Sequence, residues 1–316
     1  MDYQWPSYDF KSAEKVKSCN YKSGINHIEQ FFSEKLDCYC VLTPSARSAI
    51  SMYIRLKGLN RNACVQIPQW SSKCLYDAVT PYATPVLKNK NSELDIAVHK
   101  WGRLYKSKHA SLIEDSVDSL ILDSKSMFFN KGEIGVFSMP KLIGSLSGGI
   151  LSTKNTNIYS YFKSIQTENK AYGEKVADLR FNKKSLLYWG DLEYINSYVD
   201  KRIVVDVLSN LENYEFNISR TQRNLELYVH LLKFNLDTVV SSGRLWPVLL
   251  LPSSQFKTGV EKNLMMRNFS TKYNTDNLFF EKMALIPVHF QMGDEKVKEF
   301  SKIIKKFSNT TRLKVF

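Results

Sequence analysis

The chain has 316 residues, room for about two domains, and its 43% apolar and 13% aromatic content supports a sizeable core and excludes a disordered tract. Forty-four basic against 31 acidic residues give a net charge of +13. The basic residues are dispersed and no zinc knuckle, RRM or helix-turn-helix signature accompanies them, so no nucleic-acid partner is expected; a basic enzyme with a polyanionic small substrate accounts for the charge equally well.

The first 24 residues are polar and aromatic, without a period, and read as an arm lying over the body. They hold no charged and then apolar leader, and nowhere does a run of ~18 apolar residues occur, so no membrane is expected and the expected compartment is the cytoplasm. Ile25 to Leu36 reads as a helix. The five cysteines, Cys19, Cys38, Cys40, Cys64 and Cys74, are odd in number and fit no metal spacing. They read as small buried hydrophobes in a reducing compartment. Cys40 to Thr43 is a strand end, and Ala46 to Lys57 a helix with Ala49, Ile50, Tyr53 and Ile54 on one side. Cys64 to Ile67 is a strand stopped by Pro68, and Ser71 to Val79 a helix capped by Ser71 or Ser72. Thr84 to Leu87, Ser111 to Glu114, Ile134 to Ser138 and Gly149 to Ser152 are further strands. Strand and helix alternating in this way predict an α/β fold with a mainly parallel sheet, one large domain over residues 25–200. The pattern changes after that. A long helix from Val204 into Phe234, broken near Asn217, precedes strands at Trp246 to Leu251 and Ala284 to His289 and a last helix, Glu295 to Phe307. This reads as a small α+β domain over residues 201–316.

Three features carry chemistry. In Leu42-Thr-Pro-Ser-Ala-Arg-Ser-Ala-Ile50 a strand runs into small residues that open a helix. The amides of Ser45, Ala46 and Arg47 would leave the helix start unpaired, and the hydroxyls of Ser45 and Ser48 could add donors: a phosphate seat, or an ordinary capped helix. In Ser111-Leu-Ile-Glu-Asp-Ser-Val-Asp-Ser119 an apolar strand ends in acids. The carboxyl end of a parallel strand faces the ligand crevice, so Asp115 can aim a carboxylate at it and keep a pyridine nitrogen protonated. In Gly135-Val-Phe-Ser-Met-Pro-Lys-Leu-Ile-Gly-Ser-Leu-Ser-Gly-Gly149 a strand delivers Ser138 and then Lys141, with no other charge from Ile134 to Ser152. Loss of hydration there would lower the lysine pKa and free its amine as a nucleophile. Taken singly, each also has a bland reading, as a solvated loop or a surface lysine.

In this order the three features resemble the DegT/DnrJ/EryC1/StrS family of sugar aminotransferases dependent on pyridoxal 5′-phosphate (PLP), of the fold-type I superfamily. Ser-Ala-Arg-Ser-Ala-Ile at 45–50 is similar to that family's phosphate turn, and Ile67-Pro68 to its Ile-Val-Pro strand. Ala97 to Gly102 resembles its His-x-x-Gly segment and Leu112 to Ser116 its Ile-Glu-Asp-Ala strand end. Phe137 to Lys141 with Gly148-Gly149 resembles its lysine segment, and Leu285 to His289 its last strand. The resemblance covers most of the chain and is strongest over 40–155.

It implies a three-layer PLP-transferase large domain. Lys141 would bear the cofactor and shuttle the substrate proton, and Asp115 would pair with the ring nitrogen. Ser45, Ala46, Arg47 and Ser138 would hold the phosphate. The family's Gln or His three residues after the aspartate is here Asp118, beside the ring hydroxyl. The ring-stacking aromatic is replaced by Ser72, with Trp70 as the substitute. The implied reaction moves an amino group from an amino acid, glutamate foremost, to a nucleotide-linked ketosugar for surface polysaccharide such as O-antigen. A homodimer is also implied. Alternatives are another PLP reaction on a non-sugar substrate and a catalytically impaired binding protein. His99 and His289 read as structural. No clean Asn-x-Arg segment lies in 173–184, Arg180 and Asn182 being the candidates for a partner's phosphate contact. The basic set Lys163, Lys170, Lys175, Lys183 and Lys184 is a solvated helix face or a seat for a diphosphate.

Overall fold

The computed structural model describes residues 20–68, 71–87, 91–107, 112–118, 120–121, 127–181, 195–234, 244–245, 248–270, 280–310 and 313–315. Helix α1 (Tyr21–Leu36) begins inside the segment expected as an arm, because Asn20 caps it by accepting from the Ser23 amide; the rest of that arm, 1–19, lies outside the described residues. Its buried stripe, Ile25, Ile28, Phe32 and Leu36, has helical spacing. Strand β1 (Tyr39–Thr43), helix α2 (Ala46–Leu56), strand β2 (Cys64–Gln66), helix α3 (Lys73–Val79) and strand β3 (Thr84–Val86) follow, close to expectation.

Strand β4 (Leu94–Val98) has no counterpart in the sequence reading, since Asp95 interrupts its apolar run. The fold buries that carboxylate by giving it donors: the Gln66 amide at 3.3 Å and the hydroxyls of Ser92 and Ser107 at 2.9 and 3.2 Å. After β5 (Leu112–Asp115) and the short β6 (Leu120–Ile121) come β7 (Ile134–Ser138), helix α4 (Met139–Ile143) and β8 (Gly149–Thr153).

Seven strands form one sheet in the order β1-β8-β7-β5-β4-β2-β3. β8 runs antiparallel to both its neighbours, and the pairs from β7 to β3 are parallel. Period-two alternation splits the sheet's side chains between two cores. Val41, Val136 and Leu151 face α2, α3 and α5 (Thr156–Ile165). Leu42, Phe137 and Ile150 face α1 and α7 (Lys201–Leu211), with α6 (Lys170–Phe181) beside α7. This helix–sheet–helix layering is the α/β class expected.

The long helix breaks earlier than expected. α7 ends at Leu211 and α8 (Tyr214–Leu232) starts after Asn213, an Asx residue at the cap position; Asn217 lies inside α8. Strand β9 (Arg244–Leu245) pairs with β6. Strands β10 (Val248–Pro252), β11 (Met265–Ser270) and β12 (Phe280–Pro287) make an antiparallel sheet in the order β10-β12-β11. β11 was not legible, because Met-Met-Arg-Asn-Phe-Ser is poor in β-branched residues. Helix α9 (Asp294–Phe307) packs on this sheet beside α8, in a core holding Leu225, Tyr228, Leu249, Ile286, Val297 and Ile304. No helix among the described residues is long and apolar enough to cross a membrane.

Candidate active site

One rim of the large sheet gathers the singled-out residues. Register places Gly149 opposite both Thr43 and Ser138, and Asp115 opposite Val98 and Val136. The ends of β1, β7, β5 and β4 therefore lie along the rim on which α2 starts.

At that helix start Ser45 is the N-cap, and its hydroxyl accepts from the Ser48 amide at 3.1 Å. The Ser48 hydroxyl returns the bond, accepting from the Ser45 amide at 3.0 Å and donating to the Ser45 carbonyl at 2.8 Å. This capping box corrects the expectation that both hydroxyls serve a ligand: Ser48 is used within the turn, and so is Ser45, whose hydroxyl also donates to the Ser48 hydroxyl at 3.3 Å. The amides of Ala46 and Arg47 stand in the first turn of α2, the end of a helix that an anion meets.

Strand β8 crosses directly over this turn. A Cβ on Gly149 would lie 2.3 Å from the Ala46 nitrogen and 2.5 Å from the Ser45 carbonyl carbon. Gly148, with φ +99°, makes the approach possible, and its amide donates to the Pro44 carbonyl at 2.9 Å. Because Gly149→Ala collides with backbone rather than a flexible side chain, it is expected to destabilise the protein by ~3 kcal/mol or more, measurable as a lowered denaturation midpoint without any ligand.

Lys141 sits in α4, one turn past Ser138, which takes the N-cap position without spending its hydroxyl on the helix. The stretch is free of charge in sequence but not in space. Lys141 Nζ pairs with Asp118 Oδ1, and Lys100 Nζ lies 3.3 Å from Asp118 Oδ2. Asp118 is 3% exposed and Asp115 5%. Burial would raise the Asp118 pKa, but Lys100 and Lys141 bring it down to about 2. Asp115 accepts from the Val117 amide at 3.1 Å; burial first, and the Asp118 charge second, push it up to about 6. For Lys141 the sequence expectation is reversed. Burial acts to lower its pKa, but the Asp118 carboxylate outweighs burial and holds the ammonium above the ordinary lysine range, with Cys74 and Asp115 adding to the rise.

A buried pair fixes the neighbouring residues. His99 Nδ1 accepts from the Tyr105 amide at 3.0 Å, so the proton is on Nε2, which donates to Glu114 at 2.6 Å. Glu114 also accepts from the Asn130 amide and side chain and from the Gly132 amide; burial acts to raise its pKa, but His99 first and these donors after it hold it below the ordinary carboxylate value. His99 is structural, as read, and with Glu114 it anchors the residues that follow each of them, Lys100 and Asp115. Beyond Lys100 the chain strains: Trp101 has φ 50° and packs among Val248, Leu250, Met283 and Leu285, tying this turn to the second sheet.

Other expectations fare unevenly. Ser72 is exposed at the N-cap of α3, its hydroxyl 3.1 Å from the Cys74 sulfur, while Trp70 lies outside the described residues. Cys40 is buried, but Cys38, Cys64 and Cys74 are half-buried; Cys19 lies outside. Arg180 donates to the Leu146 carbonyl at 2.9 Å, and Asn182, Lys183 and Lys184 lie outside the described residues. Lys163 is no free surface cation, since it binds buried Glu29 at 2.7 Å, and Lys170 pairs with Glu174. His289 is buried, its carbonyl accepting from Asn224. Lys100 was not singled out, and Cys74 was read only as a small buried hydrophobe. The one local hint of Lys100 was its place directly after a strand-ending histidine.

Residues 28–307 match a family model described as "Putative PLP-dependent aminotransferase". No curated protein matches the chain in sequence. Among solved structures, DesI, determined in the presence of its TDP-sugar product, is 13% identical with a TM-score of 0.67, over 97% of this chain and 92% of that one. Helicobacter pylori PseC, an aminotransferase involved in the biosynthesis of pseudoaminic acid, is 15% identical with a TM-score of 0.63, over 96% and 98%. A DegT DnrJ EryC1 StrS aminotransferase from Brucella abortus is 14% identical with a TM-score of 0.64, over 95% of each chain. At such identities the likeness establishes the fold.

Proposed function

The chain belongs to the PLP-dependent aminotransferase family whose model spans residues 28–307, and on that premise we propose that it transfers an amino group from an amino acid, glutamate foremost, to the keto group of a nucleotide-linked sugar. The observation that carries the site assignment is the convergence of Asp115, Lys141 and the start of α2 on one rim.

The residues present fit PLP. Asp115 is buried with a proton affinity raised to about 6, a poor state for a lone carboxylate and a favourable one for a carboxylate facing a ring N–H. The Ala46 and Arg47 amides, with Ser45 and Ser138, would hold the phosphate in a turn kept open by Gly149. When bound, PLP supplies an electron sink for the substrate's breaking C–H bond. Asp115 keeps the ring nitrogen protonated. Lys141 bears the cofactor and, when released, moves the substrate proton at Nζ. Asp118 orients that amine, and as a carboxylate it can only accept bonds in the place beside the ring hydroxyl.

A nucleotide-sugar substrate is supported by the TDP-sugar product of DesI and by the net charge of +13, which suits a diphosphate. The working unit in this reading is a homodimer in the cytoplasm, feeding surface polysaccharide or related glycan synthesis. The purified protein mixed with PLP is expected to develop a visible absorption band. Glutamate should bleach it, and a dTDP- or UDP-ketosugar should restore it. No band with added PLP would sink the assignment; a band restored by simple keto acids and by no nucleotide sugar would remove the sugar from it.

A further inference from the structure

The geometry points to Lys100 as a positioning residue: it shares the Asp118 carboxylate with Lys141, and so loosens the hold of that carboxylate on the Lys141 ammonium and eases release of the amine as a nucleophile. This rests on the reading of Lys141 as the cofactor-bearing lysine.

The two oxygens of Asp118 are divided, Oδ1 to Lys141 and Oδ2 to Lys100 at 3.3 Å. The carboxylate is 3% exposed, while the Lys141 and Lys100 side chains are 32% and 18% exposed, so solvent screens the contacts only in part. Among the described residues, the charged groups around the Lys141 amine include Asp118 from the segment after β5, Asp115 from β5 itself and Lys100 from the turn after β4, with the titratable thiol of Cys74 from α3. With both ammonium groups present, two carboxylates face two cations. When Lys141 loses a proton, Lys100 remains as a counter-ion for the buried acids. Without Lys100 the same loss would leave the two buried carboxylates with one cation fewer, and Lys141 would hold its proton more tightly.

The backbone holds Lys100 in place for this. His99 behind it is locked by Glu114 and the Tyr105 amide, and Trp101 ahead of it keeps a left-handed φ of 50°. Lys100 Nζ also rests 5.1 Å from the centre of the Trp101 ring, a second support for its charge.

The step this serves balances simply. With PLP bound, Lys141 would give one proton from its ammonium to water, bond through Nζ to the cofactor's carbonyl carbon, and release its two remaining protons with the carbonyl oxygen as water.

The test uses the full-length protein and two readouts that do not depend on turnover. Trace acylation of the cofactor-free chain by acetic anhydride, mapped by peptide mass, reports the pH at which Lys141 is deprotonated. The rate of PLP uptake, followed by its visible band, reports the same midpoint in use. In Lys100→Met both midpoints should rise on the order of one to two pH units, with uptake at pH 7.5 falling ~10-fold or more. Lys100→Arg should keep the wild-type midpoint. Asp118→Asn should lower it, and Lys100→Met with Asp118→Asn should return it toward wild type. A Lys100→Met midpoint within a few tenths of wild type, whatever happens to uptake, would make Lys100 merely structural and overturn the proposal. Should that variant not fold, the double variant against Asp118→Asn decides: equal midpoints reject the role of Lys100. Borohydride reduction of the lysine–cofactor link separates the two readings. A label on another lysine defeats the assignment of Lys141, while the acylation midpoint still tests the sharing of charge.

Discussion

Lys141→Ala is expected to leave a folded protein that takes up PLP without covalent attachment and loses ~10³-fold or more of its turnover, about 4 kcal/mol of transition-state stabilisation. Two functions disappear together in that variant, the amine that bears the cofactor and the group that moves the substrate proton. The fold should survive, because alanine is the best helix former and position 141 lies inside α4. A stability cost remains. Asp118 owes its pKa of about 2 to two lysines. A depressed carboxylate contributes stability above its unfolded pKa and loses it as pH falls through the folded value. Removing one lysine should therefore cost on the order of 1 kcal/mol at pH 7, fading below about pH 4. Gel filtration after PLP loading, borohydride reduction with mass mapping, and kcat/KM check each part. Covalent PLP retained by the variant would move the assignment to another lysine, with Lys100, on the same carboxylate, the first to examine.

What the sequence made legible here is what local rules place. The positions of the turn that opens α2, of Asp115 and of Lys141 were each legible because an apolar run ends in residues that stop a strand or open a helix, and a parallel sheet puts such ends on one rim. The Lys100–Asp118 pair was not readable, because nothing near Lys100 in sequence requires an acid. Its partner comes from the crossover after β5, which lands beside β4 only through the strand order β7-β5-β4-β2. The pKa of Lys141 was misjudged for the same reason. The apolar stretch from Ile134 to Ser152 signals burial, and Lys141 is half-buried, but the charge that decides the outcome, Asp118, lies 23 residues away. Strand β4 was hidden by Asp95, whose burial depends on donors from Gln66 and Ser107 on other segments. Cys74 looked like a core residue because a half-buried thiol beside an ammonium has the same local pattern as a buried one.

Asp115→Asn should move function and stability in opposite directions. Catalysis should fall ~10²–10³-fold, because a neutral amide cannot hold the ring nitrogen protonated and the cofactor becomes a weaker electron sink. The cofactor-free protein should at the same time become more stable at pH 7. Asp115 is 5% exposed, and its folded pKa is raised to about 6, by burial first and by Asp118 second. An acid with a raised folded pKa binds a proton in the folded state that the unfolded chain releases at about pH 4. Folding stability therefore falls as pH rises from about 4 to about 6 and stays reduced above that, by on the order of 2 kcal/mol. Asparagine removes this charge and can still accept the Val117 amide through its side-chain oxygen. The variant's stability should accordingly be flatter across pH 4–6 and higher at pH 7, as denaturation midpoints at several pH values would show. A stability loss at pH 7 with activity retained would make Asp115 a structural residue. The opposite pair of shifts would identify a carboxylate kept ionised in a buried position at the expense of stability, which only a ligand that needs the charge explains.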